Sequence, residues 1–276
     1  MSFACLPWYA LPETEAAQEA LWRVIGRHVR RVGIDAPEAL SHEVAIPAVF
    51  TDPDLLLAQC CGYDIVYGFA ASLTMLATPC YAAPGCHESS YRSYALVRDD
   101  NEARGLADLR DAVCAVNGFN SHSGANALRA LVAPFAAQGR FFAGVRVTGA
   151  HLASLDLVRS GDAAVMAMDC VLHALLARYR PAALAGTRIL AATATAPAPP
   201  MVTSASQGAE RVMRLREALI AAMDDPAAQA AKDALLIDGV EVLPLRSYQR
   251  IVEIEAEALR GGYFELHATS SILGKG

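Results

Sequence analysis

Val113–Arg129, VCAVNGFNSHSGANALR, is the stretch on which the reading of this chain turns. It starts as an apolar strand, passes through a loop of small polar residues, and opens a helix on Ser121-His122-Ser123-Gly124. A helix N-terminus leaves its first N–H groups unpaired and carries about half a positive charge. Hydroxyls and a glycine around that end form a cluster of donors with no side-chain cation. Such a cluster suits a small oxyanion: phosphate, phosphonate, sulfate or carboxylate. The plainer alternative is that these residues only cap the helix, as serine often does. Capping explains one serine, not four small or polar residues in a row.

Outward from this stretch, strand and helix patterns alternate, which indicates a mainly parallel α/β architecture. Downstream come a strand at Val145–Thr148, a helix at Leu152–Ser160 stopped by Gly161, and an apolar strand at Ala164–Met168. A helix at Asp169–Tyr179 and an extended Arg188–Ala192 follow. The proline-dense Ala196–Pro200 suits neither a central strand nor a helix interior and reads as a stiff crossing segment. Upstream, Ser2–Leu6 is a strand and Glu13–Val32 a helix ending at Gly33. Val44–Val49 reads as a strand, Asp52–Cys60 as a helix, Asp64–Tyr67 as a short strand and Ser89–Val97 as a long one. Helices at Gln207–Met223, Pro226–Leu235 and Ser247–Leu259 close the chain. This order predicts two lobes, each a mixed, mainly parallel sheet flanked by helices. Lobe I takes residues 1–94 and 190–276, and lobe II is the inserted 95–189. Two crossovers, near Tyr94–Arg98 and Ile189–Pro200, form the hinge.

The chain has 276 residues, 54% of them hydrophobic, and a formal net charge of −6, enough for sizeable cores. There is no basic run, which argues against nucleic acid as a partner. Local dipoles still allow an acidic protein to bind an anion. No uncharged apolar run reaches the roughly 18 residues of a membrane-spanning helix. The opening MSFACLPWYALPE lacks the basic and long apolar regions of a secretion signal, so the chain as given does not read as a secretory precursor. The seven cysteines (Cys5, Cys60, Cys61, Cys80, Cys86, Cys114 and Cys170) show no repeated CxxC spacing, against a disulfide framework or zinc site. Cys80 and Cys86 flank a Pro-Gly turn, and both a bridge and two free thiols remain open. His28, His42, His87, His173 and His267 have no partner at metal-ligand spacing, so no metal and no cofactor is expected.

With these pieces in place, the chain resembles the phosphate/phosphite/phosphonate substrate-binding proteins of ABC transporters, a branch of the type 2 periplasmic-binding-protein fold. The matching segments are CLPWYALPE, YDIVYGFAAS, YRSYALV, NSHSGANALRAL, VTGAHLASLDLVRSGDAAVMAMDCV and TATAPAPPMVTS. The resemblance implies an anion held between the lobes by Ser121, Ser123 and the backbone N–H groups of His122, Ser123 and Gly124. It implies that His151 contacts the same ligand and that Asp169 meets its organic substituent or amine. Tyr9 and Tyr94 would supply hydroxyls or an aromatic wall, with Trp8 at the mouth. It also implies an ABC permease as partner, a monomer or weak dimer, and a periplasmic location. The chain would be cytoplasmic if what is given is the complete native product. The sequence departs from the family at the missing signal, at His122 where threonine is frequent, and at Trp8.

Plainer roles stand beside each assignment: His151 as an ordinary helix-start residue, Asp169 as an N-cap, Trp8 and Tyr9 as cover for the core. Ser123, His151 and Asp169 also invite comparison with a hydrolase triad. A nucleophilic serine needs a strained elbow such as G-x-S-x-G or a base within reach. SHSGAN has glycine only after the serine, and no spacing shows that His151 reaches it. The sequence therefore favours a binding protein over an enzyme. A cytoplasmic ligand sensor or pathway-associated binding protein for a different small acid is the remaining alternative.

Overall fold

The computed structural model describes residues 2–264 and Leu266; His267 lies outside them. In chain order the first elements are β1 (Phe3–Ala4), α1 (Glu15–Arg31), β2 (Leu55–Gln59), β3 (Leu73–Tyr81), β4 (Ser90–Tyr91) and β5 (Ser93–Arg98). Then come β6 (Val113–Val116), α2 (Ala127–Val132, extending a π-helical turn at His122–Asn126), β7 (Gly144–Val147), α3 (His151–Ser160) and β8 (Val165–Asp169). After these stand α4 (Cys170–Tyr179), α5 (Pro181–Leu184), β9 (Thr187–Ala192), β10 (Ala196–Pro197) and β11 (Met201–Ser204). The chain closes with α6 (Ala209–Met223), α7 (Gln229–Leu235), β12 (Ile237–Glu241) and α8 (Gln249–Arg260).

The elements form two compact units. Of the described residues, one unit holds those up to Ser90 and Pro197–Tyr248; the other holds Tyr91–Ala196 and those from Gln249 onward. The expected boundary put everything after residue 190 in the first lobe. Instead α8 packs on α2 of the second unit.

The first unit is a five-stranded mixed sheet in the order β1-β2-β11-β3-β12, with β1 parallel to β2 and β11 antiparallel to both of its neighbours. On α1, Leu21, Ile25 and Val29 recur every fourth residue with Trp22 beside them, and all four are buried. That stripe packs the helix against α6 and α7. Each fully buried side chain of this size contributes about 1.5–3 kcal/mol relative to exposure. Trp22 keeps its indole N–H satisfied by donating to the Pro37 carbonyl at 3.1 Å.

Several expectations are corrected here. The expected helix over Asp52–Cys60 is strand β2. Its five residues LLLAQ are buried on both faces, so no polar alternation marks the period. The expected strand Val44–Val49 is loop running into a 3₁₀ turn at Ala48–Thr51, and Asp64–Tyr67 lies in a π-helical turn. The single strand expected at Ser89–Val97 is broken at Arg92 into β4 and β5. Cys80 and Cys86 are not joined by a disulfide.

The second unit is a sheet in the order β7-β6-β8-β5-β9. Strands β7, β6 and β8 run parallel, while β5 is antiparallel to both β8 and β9. Its core includes Val97, Leu109, Val116, Leu128, Phe141, Phe142, Val165 and Tyr263. A buried ion pair ties α8 to α2: Arg129 meets Glu255 at 3.0 Å with side chains 1% and 5% exposed. Arg129 also donates to the Leu266 carbonyl at 3.0 Å and to the Asn126 carboxamide oxygen.

Candidate functional site

Three parallel strands of the second unit end at one edge of the sheet, and each leads into a helix: β6 into the turn at His122, β7 into α3 and β8 into α4. The carboxyl ends of parallel strands, where helix N-termini gather, are the usual ligand edge of an α/β sheet. The loops there are stitched together. Thr148 N–H donates to the Val116 carbonyl at 2.9 Å, and Gly149 N–H to the Asn117 carbonyl at 3.0 Å. Gly149 takes a φ of +86°, a turn that glycine makes without strain.

Ser121 is the N-cap, its Oγ accepting the Gly124 N–H at 3.2 Å. Gly124 has no room for a side chain, because a Cβ there would collide with Asn117 Oδ1 and lie 3.3 Å from Ser121 Oγ. Asn117 Oδ1 is buried and accepts no hydrogen bond among the described residues. These contacts hold the first turn in one geometry, and its leading N–H groups are of the kind a helix leaves unpaired.

Ser123 Oγ lies 3.0 Å from His151 Nε2, at the first residue of α3. Asp169 caps α4 through Oδ1, which accepts the Leu172 N–H at 2.8 Å. Its Oδ2 is 3.9 Å from His151 Nε2. Burial lowers the His151 pKa against the opposing pull of Asp169. The serine–histidine contact that spacing did not reveal is therefore present. It is not a relay: serine and carboxylate approach the same imidazole nitrogen, whereas a triad's acid holds the other one.

His122 is placed differently from its expected ligand role. Its side chain is 4% exposed and its Nδ1 accepts from the Asn126 carboxamide at 3.0 Å, with the Tyr91 ring 6.1 Å away. Burial, then the charges of Arg129 and Arg250, push its pKa down to about 3. The neutral ring belongs to the interior, so only the backbone N–H of His122 is available to a ligand. Tyr94 pairs with Met168 on β8, and its ring meets His173 edge-on at 5.4 Å. His173 feels the Asp169 charge and is a neighbour of the site; the sequence offers it no role beyond lacking a partner at metal-ligand spacing. Its position four residues after the Asp169 cap is the signal that points to it. Trp8 and Tyr9 belong to the first unit, where Trp8 lies 6.3 Å from Phe50 and Tyr9 meets Tyr81 edge-on at 5.5 Å.

Two mixed five-stranded sheets with flanking helices define the fold of periplasmic substrate-binding proteins, and solved structures agree. The chain belongs to the phosphonate ABC-transporter periplasmic substrate-binding protein family, whose signature it matches over residues 68–248. This is a family of binding proteins, not enzymes. PhnD1 from Prochlorococcus marinus, solved with methylphosphonate, superposes with a TM-score of 0.74 at 15% identity, covering 94% of this chain and 98% of that one. A binding protein of a phosphonate ABC transporter from Pseudomonas aeruginosa gives 0.73 at 14% identity over 99% and 92%. XAC2383 from Xanthomonas citri, solved with chloride, gives 0.70 at 20% identity over 94% and 98%. No curated protein matches significantly by sequence search. No helix among the described residues is long and apolar enough to cross a membrane.

Proposed function

We propose that this protein captures a small phosphorus oxyanion, with a phosphonate as the leading ligand class, for delivery to an ABC permease. The observation that carries the reading is the 3.0 Å Ser123–His151 contact at an edge where three helices begin. Ser123 Oγ, the first N–H groups after Ser121 and the His151 imidazole hold the ionised head, and Ser121 and Gly124 fix the turn that presents them. Helix amides favour the anion without a permanent cation.

Asp169 decides what the head is attached to. A carboxylate beside an anion site disfavours a ligand with further negative charge and favours one bearing an amine. Tyr94, on the neighbouring strand, meets His173 edge-on. Trp8 and Tyr9 are assigned to the organic substituent by family resemblance. The methylphosphonate complex of PhnD1 is consistent with this ligand class.

Titration calorimetry against phosphate, phosphite, methylphosphonate, 2-aminoethylphosphonate, sulfate and acetate tests the proposal. Phosphorus oxyanions are expected to bind and acetate to fail. A panel without a phosphorus-containing binder overturns the proposal.

A further inference from the structure

The proposed anion site contains a group that can change its charge. The Ser123–His151 contact holds a single proton between Oγ and Nε2. If Ser123 donates to a bare Nε2, its hydroxyl has no proton left for a ligand oxygen. If the Nε2 N–H donates to Ser123, that hydroxyl proton is free to serve the ligand. The Asp169 carboxylate, 3.9 Å from the same nitrogen, favours the second arrangement. In a neutral ring, Nδ1 is then bare, and it is buried without a hydrogen-bond partner among the described residues. Burial disfavours the imidazolium, whereas the Asp169 charge and the Ala167 carbonyl favour it.

The charges around the ring leave this balance open to a ligand. Helix α3 packs on β5, β6 and β8. Of these, β8 contributes Asp169, and β6 has no charged residue. The cation of β5, Arg98, lies by Gly161 at the far end of α3. On α3 itself, Asp156 and Arg159 stand more than one turn away from His151. On α4, His173 is a second imidazole within reach of the Asp169 charge, and its pKa is also lowered by burial.

We propose that binding of the oxyanion brings one proton from solvent onto Nδ1 of His151, so that an imidazolium exists in the complex and not in the free protein. This rests on the phosphorus-oxyanion reading above. The balance is one dianion and one proton in, with no covalent change; the Ala167 carbonyl beside the ring favours the charged form. A fixed cation would hold the anion equally at every pH. A titrating one ties affinity to pH, by about tenfold per unit where a full proton is taken up.

Calorimetry with methylphosphonate at about pH 8.5, where the probe is mainly the dianion, in buffers of different ionisation enthalpy, reads the proton directly. The expected slope is close to one proton taken up. His151→Gln keeps an amide donor and cannot charge, so its slope should fall to zero, while the control His173→Gln keeps the wild-type slope. Imidazole ¹⁵N shifts of the wild-type protein supply a readout that needs no variant: His151 neutral alone and doubly protonated in the complex. Tight binding with buffer-independent heat, an unchanged slope in His151→Gln, or a ring neutral in both states overturns the proton coupling and leaves the ligand reading intact. Absence of binding by methylphosphonate, phosphite and phosphate alike overturns both.

Discussion

Gly124→Ala separates helix propensity from site geometry. On propensity alone, alanine in a helix is about 1 kcal/mol more favourable than glycine, so the substitution should stabilise. The structure predicts the opposite. A Cβ at position 124 overlaps Asn117 Oδ1 and lies 3.1 Å from Asn117 Cγ, and Gly124 N–H is the donor to the Ser121 cap. Forcing one methyl into a packed position costs about 1–3 kcal/mol. Set against the propensity gain, the net effect is a loss of up to about 2 kcal/mol, a fall of up to roughly 8 °C in the transition of the second unit. Methylphosphonate affinity should fall with it, because the turn that aims Ser123 has to shift. The partner substitution makes the argument specific. Asn117→Ala removes the colliding group, and Asn117 Oδ1 makes no hydrogen bond that would be lost. In that background Gly124→Ala should be neutral or stabilising, a coupling of about 1–3 kcal/mol by double-mutant cycle. The reasoning fails if Gly124→Ala is at least as stable as wild type, or costs the same in both backgrounds.

Further outcomes follow from the same structure. Glu255→Gln leaves Arg129 buried without its countercharge and should cost about 3–5 kcal/mol in urea denaturation of the second unit; an effect below 1 kcal/mol would contradict the buried pair. Acid should act on the two units in opposite directions. His122, pushed down to about 3, must stay neutral in the fold, so stability is full above its unfolded pKa and is lost as pH falls, about 1.5 kcal/mol between pH 6.5 and 5. Burial raises Asp64 in the first unit to about 6, so its contribution is full below the unfolded carboxylate pKa and is lost as pH rises through 6, about 1 kcal/mol over the same interval. Unit-resolved hydrogen exchange at the two pH values checks both signs. Asp169→Asn keeps an acceptor for the Leu172 N–H while removing the charge, so it should weaken 2-aminoethylphosphonate relative to methylphosphonate by about tenfold or more. Equal effects on the two ligands would remove Asp169 from selectivity.

The sequence marked the second unit well because its signals are local. Ser121 announces a cap, Gly161 ends α3 with a φ of +86°, and Asp169 stands between a buried strand and a helix. The first unit was harder to read. Strand β2 lies within the sheet with both faces buried, and a continuous apolar run carries neither a period of two nor of 3.6. Strands β3, β11 and β12, none of which was foreseen, are antiparallel pieces brought together from distant parts of the chain. At the site, residue types were legible and contacts were not. Ser123 and His151 are 28 residues apart, and only the parallel pairing of β6 with β7 brings their helices side by side. His122 shows the converse limit. Its place in the SHSG motif suggested a ligand, while the i+4 contact to Asn126 and the charge of Arg129 commit its ring to the interior.

The central claim is that the Ser123–His151 edge of the second unit holds a phosphorus oxyanion. A crystal structure grown with methylphosphonate tests it most directly. The account predicts phosphonate oxygens within hydrogen-bond distance of Ser123 Oγ and the first backbone N–H groups after Ser121, with the Nε2 N–H of His151 donating to Ser123 Oγ. A phosphonate group bound elsewhere, with Ser123 and His151 still bonded only to each other, would contradict it.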